Sequence, residues 1–341
     1  MSQLKPLWKT TIGDYVTVLD WSDDCLAIAS AAGEVILQYA DQAIVLRAAD
    51  GQSIDCLAFS HDHQFLASGS QNSQVNIWSV PTATLITPTV VKTLEYPRHW
   101  IDRLAWHPQQ NQLAFSLGKQ VQVWDVTTDQ AGAQLNFAGS SVMDLAWHPA
   151  GLYLAVSGYL GTKLWRSDDW LTAPQILEVP SASAKVGWST DGRYFASGNL
   201  DRMITLVETE QWEKPWAMRG FPGKIRCLAW SDNFAGSDTQ LLAVSSQEGI
   251  AVWHYVAAQE NWDCQVLQQH TDSVQAIAFQ PGTSLLASTA SDGQIALWQD
   301  GQLLQTLSEN SAAGACLAWS QDATQLAVGR QNGQIEVFAI G

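Results

Sequence analysis

An aromatic residue closes a short apolar run eight times along this chain of 341 residues: Trp21, Phe59, Trp106, Trp147, Trp188, Trp230, Phe279 and Trp319. The gaps are 38, 47, 41, 41, 42, 49 and 40 residues. A pattern that returns every forty residues or so excludes an ordinary single-core domain. Each unit is too small to bury its own apolar face and has to stack on its neighbours. Arrays of this kind serve more often as surfaces that hold partners than as vessels for chemistry.

Within a unit the strands are short and separated by turn formers. The first is a run such as Cys56-Leu57-Ala58-Phe59-Ser60 or Arg103-Leu104-Ala105-Trp106. A second follows (Phe65-Leu66-Ala67-Ser68-Gly69), then a third ending in an aromatic (Val75-Asn76-Ile77-Trp78), with a fourth in the connection onward (Val91-Lys92-Thr93-Leu94-Glu95). β-Branched and aromatic residues dominate, and no segment has a helical period. The near-continuous apolarity of the first strand predicts burial on both faces. The small residue before the closing aromatic (Ala58, Ala105, Ala146, Gly187, Ala229, Ala278, Ala318) predicts a crowded centre. Asp20 breaks that rule, and a buried carboxylate there requires backbone amides as partners.

These repeats resemble the WD40 family over essentially the whole chain. The seventh unit is the most faithful, with His270-Thr271-Asp272, Ser288, Asp292-Gly293 and Trp298 in the family's places. The resemblance implies that His270, Ser288, Asp292 and Trp298 form a hydrogen-bonded structural tetrad, complete only in that unit. Trp78, Trp124, Trp165 and Trp253 keep the last aromatic, whereas Gln38, Val207 and Phe338 replace it, and Trp124-Asp125 is the one Trp-Asp pair. The expected fold is all-β: an eight-bladed β-propeller of four-stranded antiparallel blades, a single domain over residues 1–341. The last unit ends its third strand at Phe338, so the N-terminal run Leu7–Ile12 is expected to complete it and close the ring, which removes two open sheet edges. The alternative is seven blades, with the weak first unit as an irregular insertion.

Charge and composition narrow the partners. Lys and Arg number 17 against 33 Asp and Glu, a net charge of −16. That balance disfavours nucleic acid and anionic membrane surfaces. No apolar run approaches the ~18 residues of a membrane span, and the start, Met1-Ser2-Gln3-Leu4-Lys5-Pro6, lacks the apolar core of a secretion signal. Five cysteines without paired spacing suit a reducing compartment. The expectation is a cytoplasmic protein of bacterial type, monomeric by itself.

No phosphate-binding, nucleophile-elbow or zinc-protease motif is present, and no cofactor is expected. Cys56, Cys227 and Cys316 share one place in their units, where a small apolar residue is the simpler reading than a soft-metal site. His61, His63, His107 and His148 fall in equivalent turns of adjacent units, so their imidazoles are expected to emerge on one face. Loose turns rarely supply zinc's four short bonds, and these residues read as turn formers. Asp168, Asp169, Glu208, Glu210 and Glu260 read as a solvated rim.

The partner surface is expected at the top of the propeller, where the loops entering first strands meet the turns between second and third strands. The loops bring Tyr15, Asp55, Arg98, His99, Trp100, Asp102, Lys224 and Arg226; the turns bring Tyr159, Leu160, Arg202 and Arg330. Exposed aromatics mixed with arginine are typical interface anchors. A basic mouth on an acidic chain points to a protein or acidic peptide segment. Trp170, Trp212 and Trp262, with Trp216, lie in the opposite connections and are expected to cap strands rather than form a docking stripe. The function expected is a non-catalytic interaction scaffold, not an enzyme. The alternatives are a metal-handling protein using the histidine turns, or a propeller enzyme with a channel site.

Overall fold

The apolar runs fold into strands, as their spacing predicts. The computed structural model describes residues 3–23, 25–40, 42–80, 87–234, 240–307 and 312–341. The fold is an all-β propeller of antiparallel blades, and among the described residues the one helical element is a single 3-10 turn, Ala257–Gln259.

Among the described residues, hydrogen bonding joins the strands into seven sheets, six of four strands and one of six. Seven is the number of the alternative reading, but the first repeat is not the irregular one. Its strands Val16–Ser22, Cys25–Ser30, Val35–Gln38 and Ala43–Arg47 make a complete sheet. All eight repeats supply an inner strand; the fourth and fifth share a sheet because the long strand Gln175–Trp188 serves both. Its last residues, Ser183 to Trp188, pair with Asn199 to Phe195 as the inner strand of the fifth repeat.

The other long strand of that sheet, Tyr153–Arg166, turns back on itself. The Ser167 amide bonds the Leu152 carbonyl at 3.0 Å, whereas 14 extended residues would separate the ends by about 45 Å. The reversal falls at Leu160 and Gly161, where φ is +68° and +128°. A Cβ at Gly161 would lie 2.0 Å from the Leu177 carbonyl oxygen, so this turn requires glycine.

The chain divides into two compact units, Ile12–Glu178 on one hand and Met1–Thr11 with Val179–Gly341 on the other. In the first, side chains from successive sheets interleave, as where Leu37 and Ala29 pack with Leu57 and Leu66, and Ile77 with Leu113 and Phe115. In the second, Leu206 and Met218 pack with Leu242 and Val244, and Leu285 and Leu297 with Leu326 and Phe338. The N-terminal strand Leu4–Thr11 lies antiparallel to Gln334–Ile340, Leu4 opposite Ile340 and Thr11 opposite Gln334. It is thus the fourth strand of the last sheet, as expected.

Burial differs from expectation in one respect. The second strands, not the first, are enclosed on both faces: Cys25–Ser30, Tyr194–Asn199, Leu242–Ser246 and Leu286–Ala290 are buried at every residue. Inner strands lie at sheet edges and leave their small residue half-buried. That residue has a different use. Its carbonyl accepts the indole N–H of the next repeat's tryptophan: Trp106 to Ala58 at 2.9 Å, Trp147 to Ala105 at 3.0 Å, Trp230 to Gly187 at 3.2 Å and Trp319 to Ala278 at 3.1 Å. Phe59 has no such donor, and there the exception Asp20 acts instead. Its carboxylate accepts the Phe59 amide at 2.8 Å and the Trp21 amide at 3.0 Å.

Candidate partner-binding surface

The segment Tyr96–Ile101 is pinned at both ends and presents its middle. Tyr96 packs on Phe115 with ring centroids 5.4 Å apart, and the His99 amide closes a turn onto the Tyr96 carbonyl at 3.1 Å. Ile101 is fully buried, and its amide bonds the Ser70 carbonyl. Between these anchors Arg98 takes a left-handed conformation, φ +71°, and Arg98, His99 and Trp100 face solvent. Ile101 is therefore the residue that packs down, and Trp100 stays 66 % exposed. It is the one exposed tryptophan among the described residues.

The surface continues through neighbouring turns of the same unit. The His99 ring approaches Gly118, whose carbonyl accepts the Val142 amide at 2.8 Å. Lys119 is exposed beside it, and its carbonyl accepts the Phe137 amide. Ser140 then holds the Tyr159 amide at 2.9 Å, and Tyr159 and Leu160 emerge 55 % and 53 % exposed. Trp100, Tyr159 and Leu160 thus flank two cations, Arg98 and Lys119, that have no ion pair among the described residues. The sequence reading missed Lys119, which carries no motif; only its place in the turn between second and third strands signals it.

The other expected members are placed as follows. Tyr15 is half-buried. Asp55 accepts the Ser53 hydroxyl at 2.7 Å, and Asp102 accepts the Ser116 hydroxyl at 2.7 Å; among the described residues neither forms an ion pair with Arg98. In the other unit Arg202 and Lys224 are exposed and Arg226 is half-buried. Arg330 corrects the expectation: it is 2 % exposed. Its guanidinium pairs with Glu336 at 2.5 and 2.7 Å and donates to the Gly293 and Ala312 carbonyls. Four of the five N–H donors of this buried guanidinium are thus held internally, which leaves little for a partner.

The four turn histidines differ in exposure. His107 and His148 turn inward and are buried. His107 Nδ1 accepts the Gln109 amide and its Nε2–H donates to Gly151 O at 3.2 Å; burial lowers its pKa, which favours the neutral ring. His148 Nδ1 accepts the Ala150 amide. His61 is exposed, and His63 sits at φ +57°. Among the described residues no group of three or more His, Cys, Asp or Glu is placed to hold a metal ion. Cys56 donates to the Ile101 carbonyl at 3.3 Å and Cys227 to the Gln275 carbonyl at 3.1 Å. Burial pushes both thiols up, and Cys316 to about 12, so none is a ready nucleophile.

In the seventh repeat Ser288 Oγ accepts the Trp298 indole N–H at 2.9 Å and meets His270 Nε2 at 2.8 Å. His270 Nδ1 lies 3.3 Å from Asp292, which also accepts the Thr271 and Gln294 amides. The bottom tryptophans pack as caps. Trp170 meets Trp147 edge-on at 5.9 Å, Trp212 meets Trp188 at 6.3 Å, and Trp262 meets Trp230 at 6.0 Å.

Comparison with known proteins agrees with this architecture. The model of the anaphase-promoting complex subunit 4 WD40 domain matches residues 19–107, and that of the WD domain, G-beta repeat, matches residues 262–299. A WD repeat-containing protein of Synechocystis sp. is 28% identical over 41% of this chain and 38% of its own length. The transcriptional corepressor LEUNIG_HOMOLOG of Arabidopsis thaliana is 22% identical over 72% of this chain and 35% of its own. Nuclear distribution protein nudF of Aspergillus niger is 23% identical over 78% and 64%. The matched stretches therefore span less than two thirds of these relatives. A computationally designed protein, Ika8, superposes with a TM-score of 0.76 at 20% identity, covering 96% of this chain and 97% of its own, and shows the fold alone. The repeats, the matches and the fold agree that the chain is a WD40-repeat β-propeller. That family is generally one of non-enzymatic interaction scaffolds. No helix among the described residues is long and apolar enough to cross a membrane.

Proposed function

We propose that this chain is a non-catalytic scaffold that captures an acidic protein or peptide segment on the surface of Trp100, Tyr159 and Leu160. The observation that carries this reading is Trp100, held 66 % exposed between two packed anchors. Seating a large apolar ring in water costs free energy that a partner's cover regains, and tryptophan and arginine lead among interface hot spots. Arg98 and Lys119, unpaired on a chain of net charge −16, favour acidic side chains beside the segment's apolar anchor. The reading assigns the chain to the cytoplasm, as one propeller domain over 1–341, with no nucleic-acid or membrane partner. A fluorescence titration with peptides that carry one leucine or aromatic anchor and a graded number of acidic residues tests it. Affinity should rise with acidic content and fall about 30-fold in Trp100→Ala, the loss of one interface hot spot. Affinity indifferent to acidic content would reject the acidic segment as the partner.

A further inference from the structure

The outer strand of the fifth repeat, Trp216–Met218, has three residues, against eight in that of the sixth, Asn261–Gln268. In the sheet of the sixth repeat the pairs Gly249–Gln268, Ala251–Val266 and Trp253–Cys264 are two residues apart and so present one face. The short strand ends before it covers that face, and the chain crosses as Arg219-Gly220-Phe221-Pro222. A cavity of about 670 Å³ remains, within the range of small-molecule sites. Ala251, Trp253, Val266 and Phe221 line it with apolar surface. Val266 is 60 % exposed for want of cover, and the buried Trp253 indole N–H has no acceptor. Arg219 and Glu248 line the same cavity, both exposed, and among the described residues neither has a hydrogen-bond or ion-pair partner. They form no ion pair with each other.

We propose that this cavity binds a small zwitterionic aromatic ligand, a free aromatic amino acid or dipeptide. Its carboxylate meets Arg219, its ammonium meets Glu248, and its ring lies against Trp253 and Phe221. Opposite charges on one cavity with apolar lining match a molecule with opposite charges joined through an apolar body. A carboxylate or carbonyl oxygen of that molecule also supplies the acceptor that the indole N–H lacks, and an orphaned buried donor is unfavourable. The site is independent of the surface around Trp100, so each reading stands or falls by itself.

Titration calorimetry on the full chain separates the outcomes. The probes are L-phenylalanine and phenylalanyl-alanine, with N-acetylphenylalanine and phenylalanine amide as forms that lack one charge. At least one zwitterion should bind, the tighter of the two naming the source, and loss of either charge should weaken it about tenfold. Arg219→Ala should abolish the preference for L-phenylalanine over its amide, and Glu248→Ala the preference over the N-acetyl form. Val266→Trp, at an exposed strand position, should fill the cavity and remove binding without lowering the melting temperature. Absence of binding by both zwitterions up to roughly 10 mM, equal binding of the singly charged forms, or full binding by Val266→Trp would each overturn the proposal.

Discussion

Asp20 stands where the other seven repeats carry alanine or glycine, and its environment fixes its titration. Burial pushes its carboxyl up from 3.8 to about 6, against the opposite pull of the Phe59 and Trp21 amides. A raised folded-state value means that the fold favours the protonated form. Its contribution to stability is complete below about pH 4 and is lost as pH rises through about 6. Over that window the native chain should lose up to about 3 kcal/mol relative to Asp20→Asn, an upper bound because the side chain keeps some exposure. Urea midpoints measured from pH 4 to 8 check this; parallel profiles for the two proteins would contradict it. His270 has the reverse sign. Burial lowers its pKa although Asp292 opposes the shift, so its contribution is present above the ordinary histidine value and is lost as pH falls below it. His270→Ala leaves Ser288 and Asp292 short of a partner and should cost roughly 2–3 kcal/mol, read as a shift in the urea midpoint at pH 7.5. A residue's identity showed that Asp20 needed partners, but not which ones. The answer lies in the next repeat, where phenylalanine has replaced the indole donor.

Three connections end in a tryptophan that stands edge-on against the inner-strand tryptophan of its own repeat, and this device is an element-scale source of stability. Trp262 is 6 % exposed, whereas Trp212 is half-buried. Trp262→Ala should therefore cost about 3–5 kcal/mol and Trp212→Ala markedly less, measured by guanidinium unfolding; equal costs would contradict the packing. Removing Leu4–Thr11 should leave Gln334–Ile340 as an open edge, with a lower melting temperature and concentration-dependent aggregation. Unchanged melting on truncation would argue against that pairing. The strands were legible because short apolar runs ended in aromatics and turn formers. The Tyr153–Arg166 reversal was legible from the repeat, which places Tyr159 and Leu160 in a turn between second and third strands, although Gly161 is the one residue there that marks a tight turn. His107 and His148 look like surface turn residues by type. Their rings are drawn inward by an amide two residues on, a geometry that type alone does not announce. Likewise Arg98 and Arg330 are indistinguishable as letters, and Glu336 on the adjoining strand decides which of the two is consumed.

At the scale of the whole molecule, a chain of net charge −16 that presents unpaired Arg98 and Lys119 beside Trp100 has charge arranged for an acidic partner. Such a complex should form faster at low ionic strength, with steering largely gone near 1 M salt, where screening acts within about 3 Å. Of the six tryptophans outside the strand-end positions, Trp170, Trp212, Trp216 and Trp262 pack in aromatic clusters and Trp8 lies in the N-terminal strand. Trp100 is left as the exposed one, and the scaffold reading concentrates there. The most direct measurement is affinity purification with mass spectrometry from the native cell, comparing the unaltered chain, Trp100→Ala, and Arg98→Ala with Lys119→Ala. The account predicts a specific partner, rich in acidic residues, that both variants lose while their melting temperatures stay unchanged. Recovery of the same partner at the same yield by both variants would contradict it.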